Sequence, residues 1–179
     1  MTIHSEHPFL PPEGERDPVR RLRGRLGGTV TLWSTGRDVE HRSGLTVSSR
    51  MVAAGSPAHI VALLDPLADF TQALQQYRTA VVALLEWEHR ELADAFAGVG
   101  PAPGGAFRLG QWLATEWGPL LTSASSWAGV RLVTGEPAEV GWSVLADCVV
   151  EHVEIGAETA PLVHRRGRYE PPVDGRASM

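Results

Sequence analysis

Residues 41–53 read HRSGLTVSSRMVA, and the six at the centre, Gly44-Leu45-Thr46-Val47-Ser48-Ser49, decide how the rest of the chain is read. The β-branched residues in this run ask for a strand. Yet the strand opens on the most flexible residue and closes on two small hydroxyls, with little to bury between them. A strand end carrying Thr46, Ser48 and Ser49 presents hydroxyls and backbone N–H groups together, and Gly44 lets a neighbour approach the main chain closely. Such a row can hold a phosphate without lysine, from neutral donors plus one guanidinium, and Arg50 is next in line. It equally suits a plain strand on the solvent edge of a sheet.

Outward from this stretch, short strands dominate. TVTLWS (29–34) reads as a first strand, and STGRDVEHRSG as a turn region leading into GLTVSSRMVA, one second strand. AHIVALL (58–64) is apolar enough for a third strand at the centre of a sheet. DFTQALQQY (69–77) reads as a helix and TAVVALLEW (79–87) as another buried strand. EHRELADAFAG (88–98) is a short helix with Leu92 and Phe96 inward. Residues 98–125, rich in Gly, Pro and Trp, read as a long irregular segment. Strands resume in SWAGVRLVTG (126–135) and GWSVLADCVVEHVEI (141–155), and a last one surrounds PLVHRRGRY (161–169).

Ahead of the strands, DPVRRLRGRLGG (17–28) has a helix signature: Asp17 as cap, Pro18 at the first position, and Gly27-Gly28 as the stop. Val19, Leu22 and Leu26 share one face. The four arginines between 20 and 25 then lie on the solvated side, or else attract an anionic ligand. Residues 1–16 are expected to form a loose arm, 17–172 one domain, and 173–179 a disordered tail. Many strands with a few short helices in the gaps point to a mainly β, antiparallel barrel.

Composition narrows the function. At 179 residues, 43% hydrophobic and 21% charged, the chain suits a single globular domain. Its net charge of −5 argues against nucleic-acid binding. All 16 basic residues are arginine, which excludes a lysine Schiff base and a phosphate loop ending in Gly-Lys. The absence of a long apolar run argues against a membrane span, and the N-terminus has no export core, so a cytoplasmic location is expected. The one cysteine, Cys148, excludes an intrachain disulfide, and its apolar surroundings suit a buried thiol. His152 follows Cys148 by four, which on an unbroken strand places both on one face, but no third metal ligand lies near. GVGPAPG (98–104) fails the dinucleotide fingerprint, and Ser56 in AGSPA is no nucleophile elbow. The six tryptophans, at 33, 87, 112, 117, 127 and 142, suit a core, a pocket for a flat ring, or a dimer surface.

Four pieces in order resemble the flavin reductase-like family of FMN-binding split barrels: the first helix with TVTLWST, then GLTVSS, then IVALLDP before a short helix, then PLVHRRGRY. The resemblance spans about residues 18–172. It implies a split β-barrel of Greek-key type. It implies that Thr46, Val47, Ser48, Ser49 and Arg50 hold FMN, with Asp65 and Thr71 contributing near the phosphate. Arg168 and Tyr169 then lie on the nicotinamide side. Three departures stand out. Asp69 and Thr71 occupy a stretch where the family usually has a Ser and Thr pair. Ala83 replaces an Asn, and Trp142 stands where the family tends to place a His beside the flavin.

The activity so implied is NAD(P)H-dependent reduction of FMN, or of FAD, by a homodimer with the flavin at a subunit interface. Reduced flavin would go to a partner monooxygenase or another acceptor. The competing readings are an FMN-binding barrel that carries electrons or binds a ligand without this catalysis, and a structural dimer with no cofactor.

Overall fold

The computed structural model describes residues 17–172 except 134 and 136, so the expected arm and tail lie outside the described residues. The chain begins with α1 (Pro18–Leu26), β1 (Gly28–Thr29), β2 (Thr31–Thr35), β3 (Ser43–Val47), β4 (Arg50–Ala53) and β5 (His59–Leu64). It continues with α2 (Asp69–Tyr77), β6 (Thr79–Leu84), α3 (Arg90–Phe96), β7 (Trp112–Ala114) and β8 (Pro119–Leu121). Then come β9 (Ser126–Leu132), β10 (Ala138–Val140), β11 (Ser143–Ile155), β12 (Val163–Arg165) and β13 (Arg168–Glu170).

The main sheet is antiparallel in the order β3-β2-β6-β9-β11-β5-β4, with β10 added on β11. Its two edge strands, β3 and β4, are neighbours in sequence, separated only by Ser48 and Ser49. The sheet must therefore curl until its edges meet. Ser49 makes the junction: its carbonyl accepts from the Leu63 N–H at 2.9 Å and its hydroxyl donates to the Leu63 carbonyl at 2.8 Å. GLTVSSRMVA is thus two strands rather than one, and the paired hydroxyls mark the corner. Closing the sheet leaves fewer open ladder groups than a flat sheet would.

Inside the curl, Trp33, Val47, Ile60, Leu64, Val82, Val130 and Cys148 form the main core, and α2 plugs it with Phe70 and Leu74. Trp33 and Phe70 meet edge to face at 6.4 Å. Burying each such large side chain contributes about 1.5–3 kcal/mol. Burial also pushes the Cys148 thiol up to about 12, which keeps it protonated and unreactive. A second cluster lies outside the barrel, where Leu92 and Phe96 of α3 pack with Val30, Leu32, Leu85 and Leu162. Gly44 belongs to this contact. A Cβ there would come within 2.6 Å of the Phe96 ring, so the close approach is made by α3, not by a ligand.

Four further expectations are corrected. Strand β5 is one in from the edge, not central, and alternates: Ile60, Ala62 and Leu64 are buried while Leu63 faces out. The reason is that α2 lies inside the curl and α3 packs outside on β3, leaving the outer face of β4, β5 and β11 bare. Residues 98–125 contain a 3₁₀ turn at Ala106–Leu109 and the β7–β8 hairpin. Cys148 and His152 do not share a face, because the β9–β11 ladder shifts register between Val150 and His152. Glu151 is the extra residue of a bulge. His152 therefore turns outward, stacked at 5.1 Å on Trp117 and 4.6 Å from Trp127. Finally, α1 buries none of its residues fully, and Val19, Leu22 and Leu26 are exposed.

Candidate functional site

Three pieces of chain converge where the sheet closes: the Ser48–Arg50 corner, β1, and the end of β5 running through Asp65 to α2. Arg50 pairs with Ala62 across β4 and β5, and its Nη2 donates to the Thr29 hydroxyl. A Cβ on Gly28 would lie 3.6 Å from the Ser48 carbonyl oxygen. The sequence marks Gly28 as a helix stop and Thr29 as a strand start, and nothing in it places either at this corner, where β1 pairs with the distant β12.

Arg50 is the electrostatic centre of this corner. It is half-buried, and burial lowers its pKa because water no longer solvates the charge fully. None of the ion pairs among the described residues involves it. A partly desolvated guanidinium with only a neutral hydroxyl for company is suited to an anion.

The other sequence candidates offer less than their hydroxyls suggest. Thr46 donates to the Ala93 carbonyl at 2.6 Å, and Val47 is buried in the core. Ser49 is engaged with Leu63, as described. Thr71 is buried and donates to the Asp65 carbonyl at 2.7 Å. Asp65 itself is exposed, and its carboxylate accepts from the Leu67 N–H at 2.9 Å, tying it into its own turn. Ser48 alone of these hydroxyls is exposed and takes part in no hydrogen bond among the described residues. The corner thus offers one free hydroxyl and one guanidinium, beside exposed backbone.

Trp142 stands 97% exposed on the two-residue turn between β10 and β11, so it is not a core side chain. Val144, two residues on, pairs with Leu64, which places Trp142 on the same rim as Asp65. Ala83 is buried under Leu120 and Trp127 on the outer side of the sheet, away from this rim. Arg168 is exposed on the β12–β13 hairpin. Tyr169 is half-buried against the second cluster, and burial, followed by the Asp94 carboxylate, pushes its phenol pKa up. Phenol and carboxylate together hold the hairpin to α3. A cavity of about 360 Å³ lined by Arg37, Tyr77, Glu116 and Arg131 lies by Thr35, at the other end of β2 from Thr31 and Val47. It is remote from the Ser48 corner, and size alone does not mark the site.

Comparison with known folds gives the corner its context. The NADH:FAD oxidoreductase SgcE6 of Streptomyces globisporus C-1027 superposes with a TM-score of 0.76 at 21% identity, covering 92% of this chain and 97% of that one. The flavin reductase PheA2 gives a TM-score of 0.77 at 20% identity over 89% of this chain and 100% of its own. BorF, the flavin reductase component of a bacterial two-component tryptophan halogenase, gives 0.75 at 18% over 87% and 97%. At these identities the likeness shows the shared fold. No curated protein matches the chain. The family model for the flavin reductase like domain matches residues 23–172, from the middle of α1 past the last strand. The chain therefore belongs to the flavin reductase-like domain family.

Proposed function

We propose that the protein is an NAD(P)H-dependent flavin reductase that binds FMN at the Ser48–Arg50 corner and supplies reduced flavin to a monooxygenase. Family membership makes it a flavin oxidoreductase. The finer reading is carried by one observation: Arg50 sits half-buried where the sheet closes, with no carboxylate against it. In this reading Arg50 and the Ser48 hydroxyl hold the FMN phosphate, and the backbone of Thr46–Ser49 lies along the rest of the cofactor. Asp65 stays turned into its own loop, so it does not repel the phosphate.

Flavin held here would supply the redox chemistry between reduced nicotinamide and the acceptor. The protein's part is to bind, orient and exclude water, which needs no acid–base pair. Trp142 has a flat ring without a titratable proton. On the rim it would help hold the cofactor and restrict nicotinamide access. Arg168 then flanks the nicotinamide nucleotide, while Tyr169 on the opposite face of the hairpin holds it to α3.

A homodimer completes the reading. The outer face of β4, β5, β10 and β11 exposes Met51, Leu63 and Val140, and Trp142 projects from its end. A second copy laid on this face would bury them. The relatives that carry this fold include a component of a nitrilotriacetate monooxygenase and one of a halogenase, which is why a two-component partner is the proposed acceptor.

The test is titration with FMN and with riboflavin, followed by NADH and NADPH oxidation with each flavin. Saturable FMN binding in the low micromolar range, tighter than riboflavin, is expected together with turnover. No binding at tens of micromolar flavin would refute the reading.

A further inference from the structure

Seven of the sixteen arginines belong to two adjoining elements. Arg20, Arg21, Arg23 and Arg25 lie on α1, and Arg165, Arg166 and Arg168 on the β12–β13 hairpin against which α1 rests. The Arg166 N–H donates to the Gly24 carbonyl at 2.8 Å, and Arg165 Nε to the Arg25 carbonyl at 3.3 Å. Among the described residues, acids nearby are few and engaged. Asp17 caps α1 by accepting from the Val19 N–H, and Asp94 faces His164 and Tyr169. Glu170 meets Arg165 at 3.6 Å, the one ion pair these arginines make among the described residues. The Nε of Arg21 is buried without a hydrogen-bond partner there. In a chain of net charge −5, such a concentration of positive charge calls for an anionic counterpart.

Strand alternation puts Arg165 and Arg168 on the face that carries Thr29, beside the flavin corner. In the sheet β1-β12-β13, Thr29 pairs with Val163, Val163 with Glu170, and Arg165 with Arg168, so these share one face. His164 and Tyr169 take the other face, toward α3. Arg50 donates to the hydroxyl of Thr29, on the arginine face. With strands about 4.8 Å apart, the hairpin arginines stand roughly 10 Å from Thr29, the scale of one half of a dinucleotide.

We propose that this face binds the adenosine-side phosphates of the nicotinamide dinucleotide, and that it selects NADPH through the 2′-phosphate. The proposal rests on the flavin reading above. Arg50 serves the single phosphate of FMN, leaving the patch for another nucleotide. NADH offers it only a pyrophosphate, whereas the 2′-phosphate of NADPH adds about two further negative charges. Guanidinium groups bind such groups bidentately, which converts extra charge into discrimination.

The test measures binding of 2′,5′-ADP and 5′-AMP calorimetrically, and kcat/KM for NADPH and NADH at saturating FMN. The expected result is 2′,5′-ADP binding about tenfold or more tighter than 5′-AMP, weakening as salt rises, with a similar preference for NADPH. Arg166→Glu with Arg168→Glu, and separately Arg20→Glu with Arg25→Glu, should lower that preference while FMN affinity and melting temperature hold. FMN binding with equal use of NADH and NADPH, and no preference for 2′,5′-ADP, overturns the proposal and leaves the flavin reading standing. FAD bound far tighter than FMN, with that margin lost in the variants and no nicotinamide preference, assigns the patch to the flavin's own pyrophosphate and also overturns it. If FMN fails to bind, the flavin reading falls, and 2′,5′-ADP binding measured without flavin still decides the patch.

Discussion

Arg50 and His89 show how burial sets the behaviour of a single charged group. Arg50 keeps its charge without a carboxylate because the closing sheet partly removes water while leaving one side open. A hydrogen bond to a charged group contributes roughly 1.5–3 kcal/mol, so Arg50→Gln should weaken FMN about tenfold or more while riboflavin affinity changes little, as read by flavin fluorescence. Ser48→Ala should act in the same direction. Ser49→Ala should instead lower the melting temperature, since its hydroxyl is bonded to Leu63. His89 is buried, accepts the Glu86 N–H at Nδ1 and lies 2.9 Å from the Ser123 hydroxyl at Nε2. Burial lowers its pKa, outweighing Glu88 and Glu86, so the unfolded chain takes the proton first as pH falls. Its stabilisation is complete above the unfolded value of about 6.5 and is lost as pH drops below that toward the folded value. Melting temperature should decline from pH 7 to 5.5, and His89→Gln should flatten that decline. An unchanged slope in the variant would show that other groups, such as the similarly depressed His164, set it.

Among the elements, glycines record where two pieces of chain press together. Gly44 on β3 lies under Phe96, and Gly129 on β9 lies under Trp117, where a Cβ would meet the indole at 2.2 Å. Overpacking such contacts typically costs about 1–3 kcal/mol. Gly44→Ala should therefore destabilise the protein by that order in urea unfolding and shift α3. Loss of FMN affinity in Gly44→Ala without loss of stability would instead return this glycine to the ligand. The bulge at Glu151 is the other local device. By turning His152 outward it builds the aromatic stack with Trp117 and Trp127, and Glu151 accepts from Trp117 Nε1 at 2.8 Å.

For the whole molecule, the uncovered outer face is the feature that a monomer does not explain. Most of the large apolar residues it exposes come from β4, β5 and β10, with Trp142 at its rim. Light scattering at micromolar concentration should give a dimer mass. Leu63→Glu, placed in the middle of that face, should shift it toward the monomer and weaken flavin binding if the cofactor lies at the interface. A monomer mass for the unaltered protein with flavin still bound would remove the dimer from the reading.

The strand pattern, the helices over 18–26, 69–77 and 90–96, and the family were legible in the sequence because alternation, helical spacing, the Asp17 cap of the first helix and ordered motifs are local properties. Residue chemistry marks Ser48 and Arg50 as candidate anion donors. Only the tertiary structure decided that GLTVSSRMVA is two strands meeting at a corner, since that depends on Leu63, fourteen residues from Ser49. The same holds for Gly44, whose neighbour Phe96 comes from a distant helix, and for Thr46 and Thr71, whose hydroxyls are taken by carbonyls of Ala93 and Asp65. A side chain's type sets what it can donate. Which partner claims that donor is settled by long-range pairing, and no short window of sequence contains it.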